Sequence, residues 1–254
     1  VISEVSEFGT LSLIFSYIIL FNVILSYGLE TSFFRFYNKE KNKKDVLNTA
    51  AVSILISSFL FASIFSIFKI NISNFTGITT GYLSIIVWIL VVDALTVIPF
   101  AYLRLKGSAI KYSVVKIINV LIYFSLNIFL LIFLKDLIGS YEILESIYVE
   151  NYEVAYIFIS NLIASISSLL LLFPFYFKIN YKANIELLKR MLAYGFPILI
   201  SGLAFTINET FDKILLDFLL PASVAKTQIG MYAACYKLAI FMTLFSTAYK
   251  LAIE

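Results

Sequence analysis

The sequence predicts an all-α fold, a polytopic transmembrane helix bundle, and three observations lead to this fold class. Hydrophobic residues make up 61% of the 254 residues and charged residues only 14%, against about 45–50% and about 25% in an average soluble domain. The mean hydropathy of +0.96 leaves too few polar residues to cover a soluble protein of this size. Long apolar runs without strand-like alternation recur along the chain, and each is too long for a barrel strand.

The first four predicted spans follow from the helix length that a bilayer requires, about 20 apolar residues for a hydrocarbon core of about 30 Å. The runs 8–29 and 46–68 contain no charged residue. The third span, 81–103, is interrupted only by Asp93. The fourth has its core at 117–134, which is also free of charge. We therefore expect each run to cross the bilayer once.

Three further spans are predicted in the rest of the chain. The runs 155–177 and 191–208 contain no charged residue, and the run 229–249 contains only Lys237. The remaining charged residues fall almost entirely between the runs. The sequence therefore predicts about seven membrane-spanning helices of the length that a bilayer needs.

The basic residues predict the orientation, because cytoplasmic loops are enriched in lysine and arginine. One set of alternate loops has 14 of the 19 basic residues, while the opposite set collects acidic residues. We therefore expect the basic side to be cytoplasmic and the first span to run from outside to inside. The 14 residues are Arg35, Lys39, Lys41, Lys43, Lys44, Arg104, Lys106, Lys111, Lys116, Lys178, Lys182, Lys189, Arg190 and Lys250, and the acids opposite are Asp136, Glu142, Glu145, Glu150 and Glu153.

Two features predict that the chain is an interior piece of a longer transporter-like protein. It begins with valine, and its first span enters from outside, which requires at least one helix upstream. The segment Phe8–Leu11 that opens the first span also resembles the segment Ile229–Tyr232 that opens the seventh. Two helices with the same direction and a similar beginning indicate parallel repeats about an axis along the membrane normal.

The residue counts exclude several kinds of chemistry. The sequence has no histidine, so no imidazole can act as a general base or metal ligand. The single cysteine, Cys235, cannot form an internal disulfide or a zinc site. None of the nine glycines is followed by lysine, which excludes a Walker A loop for ATP. We expect no catalytic residue, metal site or cofactor.

Asp93 is the principal candidate for ion coupling, because it lies near the middle of a predicted span. A carboxylate at the bilayer centre costs roughly 2.5–3.5 kcal/mol on insertion scales, and such residues usually have a function. One interpretation is a proton- or cation-coupled residue that faces an aqueous cavity. The alternative is a structural polar contact to Asn119 or Asn127 on the next helix.

Lys237 is the principal candidate cation. It follows Ile229 by eight residues, roughly 12 Å into the membrane at 1.5 Å per residue. It is either a cavity cation that meets an anionic substrate or one member of an internal ion pair with Asp93 or Asp212. Lys116 lies one turn inside the cytoplasmic end of its span, and we expect it to snorkel to the interface.

Two other charged segments allow more than one interpretation. The segment 208–213 is predicted to be the solvated end of the sixth span, with Glu209 and Lys213 forming an i,i+4 ion pair. Arg35 lies in an aromatic stretch and is either a phosphate clamp or an interfacial anchor.

Three prolines fall on the cytoplasmic halves of predicted spans, and we expect them to act as hinges of a gate on that side. They are Pro99, Pro174 and Pro197.

Several short strings are more specific together than any one of them alone, and they extend in order over nearly the whole chain. They are Tyr27–Thr31 with Arg35–Tyr37, Asp93–Leu95 with Ile98–Phe100 and Arg104, Tyr194–Pro197 with Ser201–Phe205, Asp212–Lys213, and Ile229–Tyr232 with Tyr236–Ala239. With these strings the chain resembles bacterial oligosaccharide and O-antigen flippases, the polysaccharide biosynthesis proteins of the multidrug/oligosaccharidyl-lipid/polysaccharide exporter superfamily.

The resemblance implies a MATE-like fold of two lobes with about 12–14 helices, of which this chain would hold about seven. It would lack the first helix and most of the C-terminal lobe. The implied domains are an N-terminal lobe at 1–177, a basic cytoplasmic linker at 178–190 and the start of a C-terminal lobe at 191–254. The implied location is the bacterial inner membrane, with several passes.

The resemblance also implies a substrate, an oligosaccharide on undecaprenyl pyrophosphate that is moved from the cytoplasmic to the outer leaflet by alternating access. This movement would serve the synthesis of a surface polysaccharide, which is O-antigen, capsule or exopolysaccharide. The implied partners are this lipid-linked glycan, the lipid bilayer and the polysaccharide polymerase machinery, with no nucleic acid. Where the family usually has Asp-Arg, this chain has Asp212-Lys213, and lysine lacks the planar fork for bidentate phosphate binding.

Within this interpretation we assign roles to the cations and to the intramembrane acid. Arg35, Arg104, Lys213 and Lys237 are the predicted substrate-binding cavity cations, and Asp93 is the predicted coupling acid. One alternative function is a cation-coupled multidrug antiporter of the same superfamily, in which Asp93 would bind a cationic substrate. A more distant alternative is a membrane glycan ligase or acyltransferase, which the missing histidine makes less suitable.

Overall fold

A computed structural model describes residues 4–137, 148–149 and 152–253, and most of these residues are helical, with no strand among them. The helices are α1 (Val5–Ser26), α2 (Leu29–Lys39), α3 (Lys43–Thr76), α4 (Thr80–Leu105), α5 (Ala109–Ile128), α6 (Leu134–Leu137), α7 (Glu153–Leu172), α8 (Ile185–Leu219) and α9 (Ala222–Ile253). A π-helical turn, Phe129–Phe133, joins α5 to α6, and a 3-10 turn, Phe173–Lys178, extends α7.

Six segments of the described chain are long and apolar enough to cross a membrane, which confirms the predicted transmembrane helix bundle. They are Val5–Lys39, Lys43–Thr76, Thr80–Leu105, Ala109–Phe133, Glu153–Lys178 and Ile185–Leu219. Each covers all or nearly all of one of the first six predicted spans. The predicted seventh span, 229–249, lies inside α9 but is not one of these six, and it stays a prediction. The predicted outer acids Glu142, Glu145 and Glu150 lie outside the described residues.

The chain folds into two compact units. The larger unit is Leu20–Phe205, and the smaller unit combines Val1–Ile19 with Thr206–Glu254. The lobes and linker predicted at 1–177, 178–190 and 191–254 belong to a complete transporter, and they stay a prediction.

Helix α4 is the central helix of the larger unit. It packs against α3 and α7, and α5 also packs against α7. Two thirds of the apolar stretch of α4 is buried, against 17% for α3 and 6% for α5. Because a helix that is apolar all round can face either protein or lipid, sequence hydropathy alone does not separate α4 from its neighbours. The core of this unit therefore lies around α4.

The first predicted span is broken at its C-terminal end. Tyr27 and Gly28 have φ values of 33° and 66° in succession, and they separate α1 from α2. Two left-handed residues end a right-handed helix, and glycine takes this conformation without strain. A Cβ atom on Gly28 would also overlap the carbonyl oxygen of Gly195 on α8. The break therefore lets α2 approach the backbone of α8, where the Ser32 hydroxyl donates to the Met191 carbonyl oxygen at 2.9 Å.

In the smaller unit, α1 and α9 are in direct backbone contact at two glycines. A Cβ atom on Gly9 would overlap the carbonyl oxygen of Lys226, and a Cβ atom on Gly230 would overlap the carbonyl oxygen of Val5. Each glycine thus faces the carbonyl group four residues before the other glycine. Such a reciprocal contact is the geometry of two equivalent segments around a two-fold axis. These glycines belong to the two segments whose similarity predicted the internal repeat.

Candidate substrate cavity

A cavity of about 410 Å³ lies in the larger unit, within the range of about 300–1,000 Å³ that is typical of ligand pockets. It lies between helices that are otherwise apolar, yet most of its lining side chains are polar or charged. They are Asn22, Glu30, Asp93, Thr96, Val97, Phe100, Arg104, Tyr112, Lys116, Asn119, Asn161, Ser165 and Ser168.

Helical spacing explains why these side chains share one cavity. Residues at i, i+3 or i+4, and i+7 lie on one face of a helix. On α7 the residues at 161, 165 and 168 have this spacing, and on α5 the residues at 112, 116 and 119 have it too. On α4 the set extends from 93 through 96, 97 and 100 to 104. The polar residues at these spacings are a sequence signal from which the cavity could have been predicted.

Asp93 is held by groups from two other helices. The Ser165 hydroxyl on α7 donates to its Oδ1 atom at 2.7 Å, and the Asn22 side chain on α1 is a second hydrogen-bonding partner. The two residues predicted as structural partners bond elsewhere: Asn119 donates to Ser168 at 3.0 Å, and Asn127 donates to the Tyr123 carbonyl oxygen at 2.7 Å. Asp93 therefore lines the cavity and links α4 to α1 and α7.

Arg104 is the predicted cation that the structure places in the same cavity as Asp93. Its guanidinium forms an ion pair with Glu30 on α2. Its Cζ atom lies 5.0 Å from the ring centroid of Phe34 and 5.7 Å from that of Tyr112. The two paired side chains are 44% and 38% exposed, so solvent weakens their attraction. Arg104 is thus oriented by an acid and two rings while it stays accessible.

Lys116 also lines this cavity, which the prediction of a snorkelling lysine missed. Its Nζ atom lies 4.3 Å from the ring centroid of Phe100, and its charge interacts with Asp93. The long side chain of a lysine can extend toward either end of a span. The position of Lys116 in the sequence therefore did not show which way its ammonium group extends. The cavity therefore contains two cations, Arg104 and Lys116, and two acids, Glu30 and Asp93.

Arg35 belongs to the larger unit but is not one of the residues that line the cavity. It is exposed on α2, and its Cζ atom lies 4.1 Å from the ring centroid of Tyr194. An arginine stacked on a tyrosine near the end of a span has the geometry of an interfacial anchor. This is one of the two interpretations that the sequence left open.

The structure differs from the prediction for the segment 208–213. Helix α8 continues to Leu219, so the segment is helix interior and not a solvated end. Lys213 is only 8% exposed, and its Nζ atom contacts Asp212 Oδ1 at 3.2 Å in place of the predicted Glu209. Glu209 accepts a hydrogen bond of 2.6 Å from the Tyr236 hydroxyl. The neighbouring helix α9 supplies this tyrosine, which reasoning within one helix could not include.

Two tyrosines of α9 flank Lys213. Its Nζ atom lies 4.6 Å from the ring centroid of Tyr236 and 5.6 Å from that of Tyr232. The two rings stack with their centroids 6.3 Å apart. Aromatic faces and a carboxylate together stabilise a buried ammonium group.

Lys237 lies in the smaller unit with Lys213, and its side chain is exposed. Its Nζ atom lies 4.4 Å from the ring centroid of Phe8 on α1. Asp212, one of its predicted partners, contacts Lys213 instead. Of the predicted site residues, the structure therefore brings Asp93 and Arg104 into one cavity, with Lys213 and Lys237 in the other unit.

The predicted hinge prolines occupy three different positions. Pro99 and Pro197 lie inside α4 and α8, and Pro174 lies at the start of the 3-10 turn after α7. Proline at 99 has no N–H group to donate to the carbonyl of residue 95, four positions earlier. The Tyr176 hydroxyl donates to this carbonyl oxygen of Leu95 at 2.6 Å. A side chain next to Pro174 thus satisfies the backbone group that Pro99 leaves unpaired.

Acidic and thiol side chains do not gather into a metal site within the described ranges, where no three side chains of histidine, cysteine, aspartate or glutamate are grouped for a metal ion.

The sequence as a whole matches one family model. The model for polysaccharide biosynthesis proteins covers residues 2–249. The chain belongs to the polysaccharide biosynthesis protein family. The family predicted from the short strings is thereby confirmed. No curated protein matches this polysaccharide biosynthesis protein in sequence.

A solved structure supports the predicted fold of this polysaccharide biosynthesis protein. The chain is similar to a structure described as the inward-facing conformation of a multidrug resistance MATE family transporter of the MOP superfamily, with a TM-score of 0.63 and 15% sequence identity. The match covers 94% of this chain and 55% of that chain. This chain therefore spans about half the length of the transporter that it matches. At this identity the similarity shows a MATE-like fold and nothing further.

The hydrogen bond from Tyr176 predicts a measurable contribution to stability. Tyr176→Phe removes the only donor of this ring and leaves the Leu95 carbonyl oxygen without it, which costs about 1–3 kcal/mol for a buried group. We expect a lower midpoint of thermal unfolding for the purified full-length protein in detergent. Tyr249→Phe is the control, because Tyr249 is 71% exposed. Equal midpoints for the two variants would show that Pro99 needs no compensating donor.

Proposed function

We propose that this polysaccharide biosynthesis protein is part of a flippase. It moves a polyprenyl-pyrophosphate-linked oligosaccharide from the cytoplasmic to the outer leaflet of the bacterial inner membrane, for the synthesis of O-antigen, capsule or exopolysaccharide. The observation that supports the proposal is a polar cavity with two cations, Arg104 and Lys116, inside an apolar helix bundle. The proposed transport uses no catalytic residue and no cofactor. We propose the polysaccharide polymerase machinery as a further partner.

The charges in the cavity suit a pyrophosphate. A guanidinium binds phosphate oxygens through two parallel N–H bonds, and the ammonium of Lys116 adds a second positive charge. The pair between Arg104 and Glu30 is half exposed, so it contributes only about 0–1 kcal/mol. A substrate with more negative charge than Glu30 can therefore displace that carboxylate from Arg104 at little cost.

No ATP is needed for this movement. Each negative charge that leaves a cell with an inside-negative potential of 100 mV gains roughly 2.3 kcal/mol. The protein has only to lower the barrier in the hydrocarbon core by supplying cations and polar groups there. Alternating access between two lobes is the mechanism we propose for the full-length protein.

The other predicted residues keep proposed roles. Arg35, Lys213 and Lys237 remain proposed substrate contacts on the strength of their charge and of the family resemblance. Pro99, Pro174 and Pro197 remain proposed hinges of the cytoplasmic gate.

A second candidate function is a cation-coupled multidrug antiporter, and the position of Asp93 is the observation that favours it. A carboxylate in a membrane cavity can bind a cationic drug directly. The two cations in the same cavity oppose this function, because like charges about 6 Å apart repel by about 3 kcal/mol at an effective dielectric constant of 20.

We expect Arg104→Gln to reduce flipping of the lipid-linked oligosaccharide by about 10–100-fold, since a hydrogen bond to a charged group contributes about 1.5–3 kcal/mol. The measurement is the accumulation of the lipid-linked intermediate in cells that carry the full-length gene, beside the efflux of ethidium. Arg190→Gln is the matched control. Arg190 forms an ion pair with Glu40, with a nitrogen–oxygen distance of 2.9 Å, and it does not line the cavity. Normal flipping together with altered ethidium efflux would favour the antiporter.

Asp93→Asn tests whether this carboxyl couples transport to an ion. We expect normal expression, slower flipping and the loss of any response to an imposed proton or sodium gradient. Asp45→Asn is the matched control, because Asp45 lies in the first turn of α3 and does not line the cavity. A variant that transports at the normal rate would assign Asp93 a purely structural role.

A further inference from the structure

The cavity of the larger unit has one end with an arginine–glutamate pair, which we call the charged end, and another end where Asp93 is the charged residue among amide and hydroxyl groups. Along α4, Asp93 precedes Arg104 by 11 residues, which is roughly 16 Å at 1.5 Å per residue. Asn22 likewise precedes Glu30, and on the antiparallel α5 the order is reversed, with Lys116 before Asn119. The charged pair of Arg104 and Glu30 thus lies at one end of the cavity, with Asn22 and Asp93 toward the other.

Four side chains form what we call the amide end: Asn22, Asp93, Asn161 and Ser165. Ser165 and Asn22 bond to Asp93. Among the described residues, no hydrogen bond to the Asn161 amide is found, although this side chain lines the cavity. An asparagine amide has two donor hydrogens and an acceptor oxygen. Asn161 therefore presents a full set of hydrogen-bonding groups to whatever occupies the cavity.

We propose that the amide end binds the sugar that is attached directly to the pyrophosphate, through the hydroxyl groups of that sugar. The inference rests on the proposed function, and it deepens it by assigning the two ends of the substrate to the two ends of the cavity. The pyrophosphate lies against Arg104 and Lys116, and the first sugar lies against Asn161 and Asp93.

The chemistry of the amide end selects a sugar over the other parts of a lipid-linked glycan. Sugar hydroxyls donate and accept hydrogen bonds, as the asparagine amides do, and Asp93 accepts from them. The polyprenyl tail would leave these hydrogen-bonding groups without partners, which is unfavourable away from water. A phosphate would face the carboxylate of Asp93 and be repelled. The carboxylate thus keeps the pyrophosphate at the charged end.

The experiment measures equilibrium binding of two probes to the purified full-length protein. One probe is undecaprenyl pyrophosphate, and the other is undecaprenyl-pyrophosphate-N-acetylglucosamine. We expect the unaltered protein to bind the sugar-bearing probe about tenfold more tightly than the bare probe, which is the effect of one or two good hydrogen bonds. Asn161→Leu keeps the shape of the side chain and removes its hydrogen bonds.

We expect Asn161→Leu to lose this tenfold preference and to bind the bare probe with unchanged affinity, which also shows that the variant is folded. Asn127→Leu is the matched control, because Asn127 is an asparagine of α5 that does not line the cavity. Ser165→Ala is a second variant, for which we expect a smaller loss of preference in the same direction.

Two results would overturn the inference. One is an Asn161→Leu variant that keeps the preference for the sugar-bearing probe. The other is a loss of affinity that is equal for both probes. The proposed function is tested separately in the same assay, because Arg104→Gln should weaken both probes by the same factor. If Arg104→Gln binds both probes normally, the proposed function fails whatever the result at Asn161.

Discussion

The hydrogen bonds of Asp93 are the interaction on which the larger unit depends. A bilayer core offers no water to an ionisable side chain, so the protein has to supply every partner. Ser165 of α7 and Asn22 of α1 supply them, and they bring two other helices to α4, the most buried span. The groups that satisfy Asp93 also line the cavity. Packing and the proposed substrate site therefore have one physical origin.

Backbone groups obey the same constraint as side chains. Pro99 leaves the Leu95 carbonyl without an N–H partner, and the Tyr176 hydroxyl takes its place. At Gly9 and Gly230 the absence of side chains lets two helices touch backbone to backbone, as small residues do at many membrane interfaces. The partners of Asp93 and Arg104, by contrast, are side chains beside open space. A substrate can exchange with these partners without breaking a helix.

Sequence reasoning predicted the helix bundle, six of its spans and the family, because apolar length is a local property that needs no knowledge of neighbours. Two of its candidate site residues, Asp93 and Arg104, line one cavity, and their roles there stay proposals. It missed Lys116 and Asn161, although both lie on polar helix faces that spacing could have revealed. It could not predict the hydrogen bond of Glu209 to Tyr236 or the ring contacts of Lys213, because these depend on which face of α9 packs against α8.

The account is tested most directly by site-specific photocrosslinking to a lipid-linked saccharide that is labelled on its sugar. A photoreactive amino acid at position 97, whose valine lines the cavity, is compared with one at position 59, whose phenylalanine is 76% exposed on α3. The account predicts a labelled adduct at position 97 that excess unlabelled substrate suppresses, and much less labelling at position 59. Equal labelling at the two positions, or none at position 97, would contradict it.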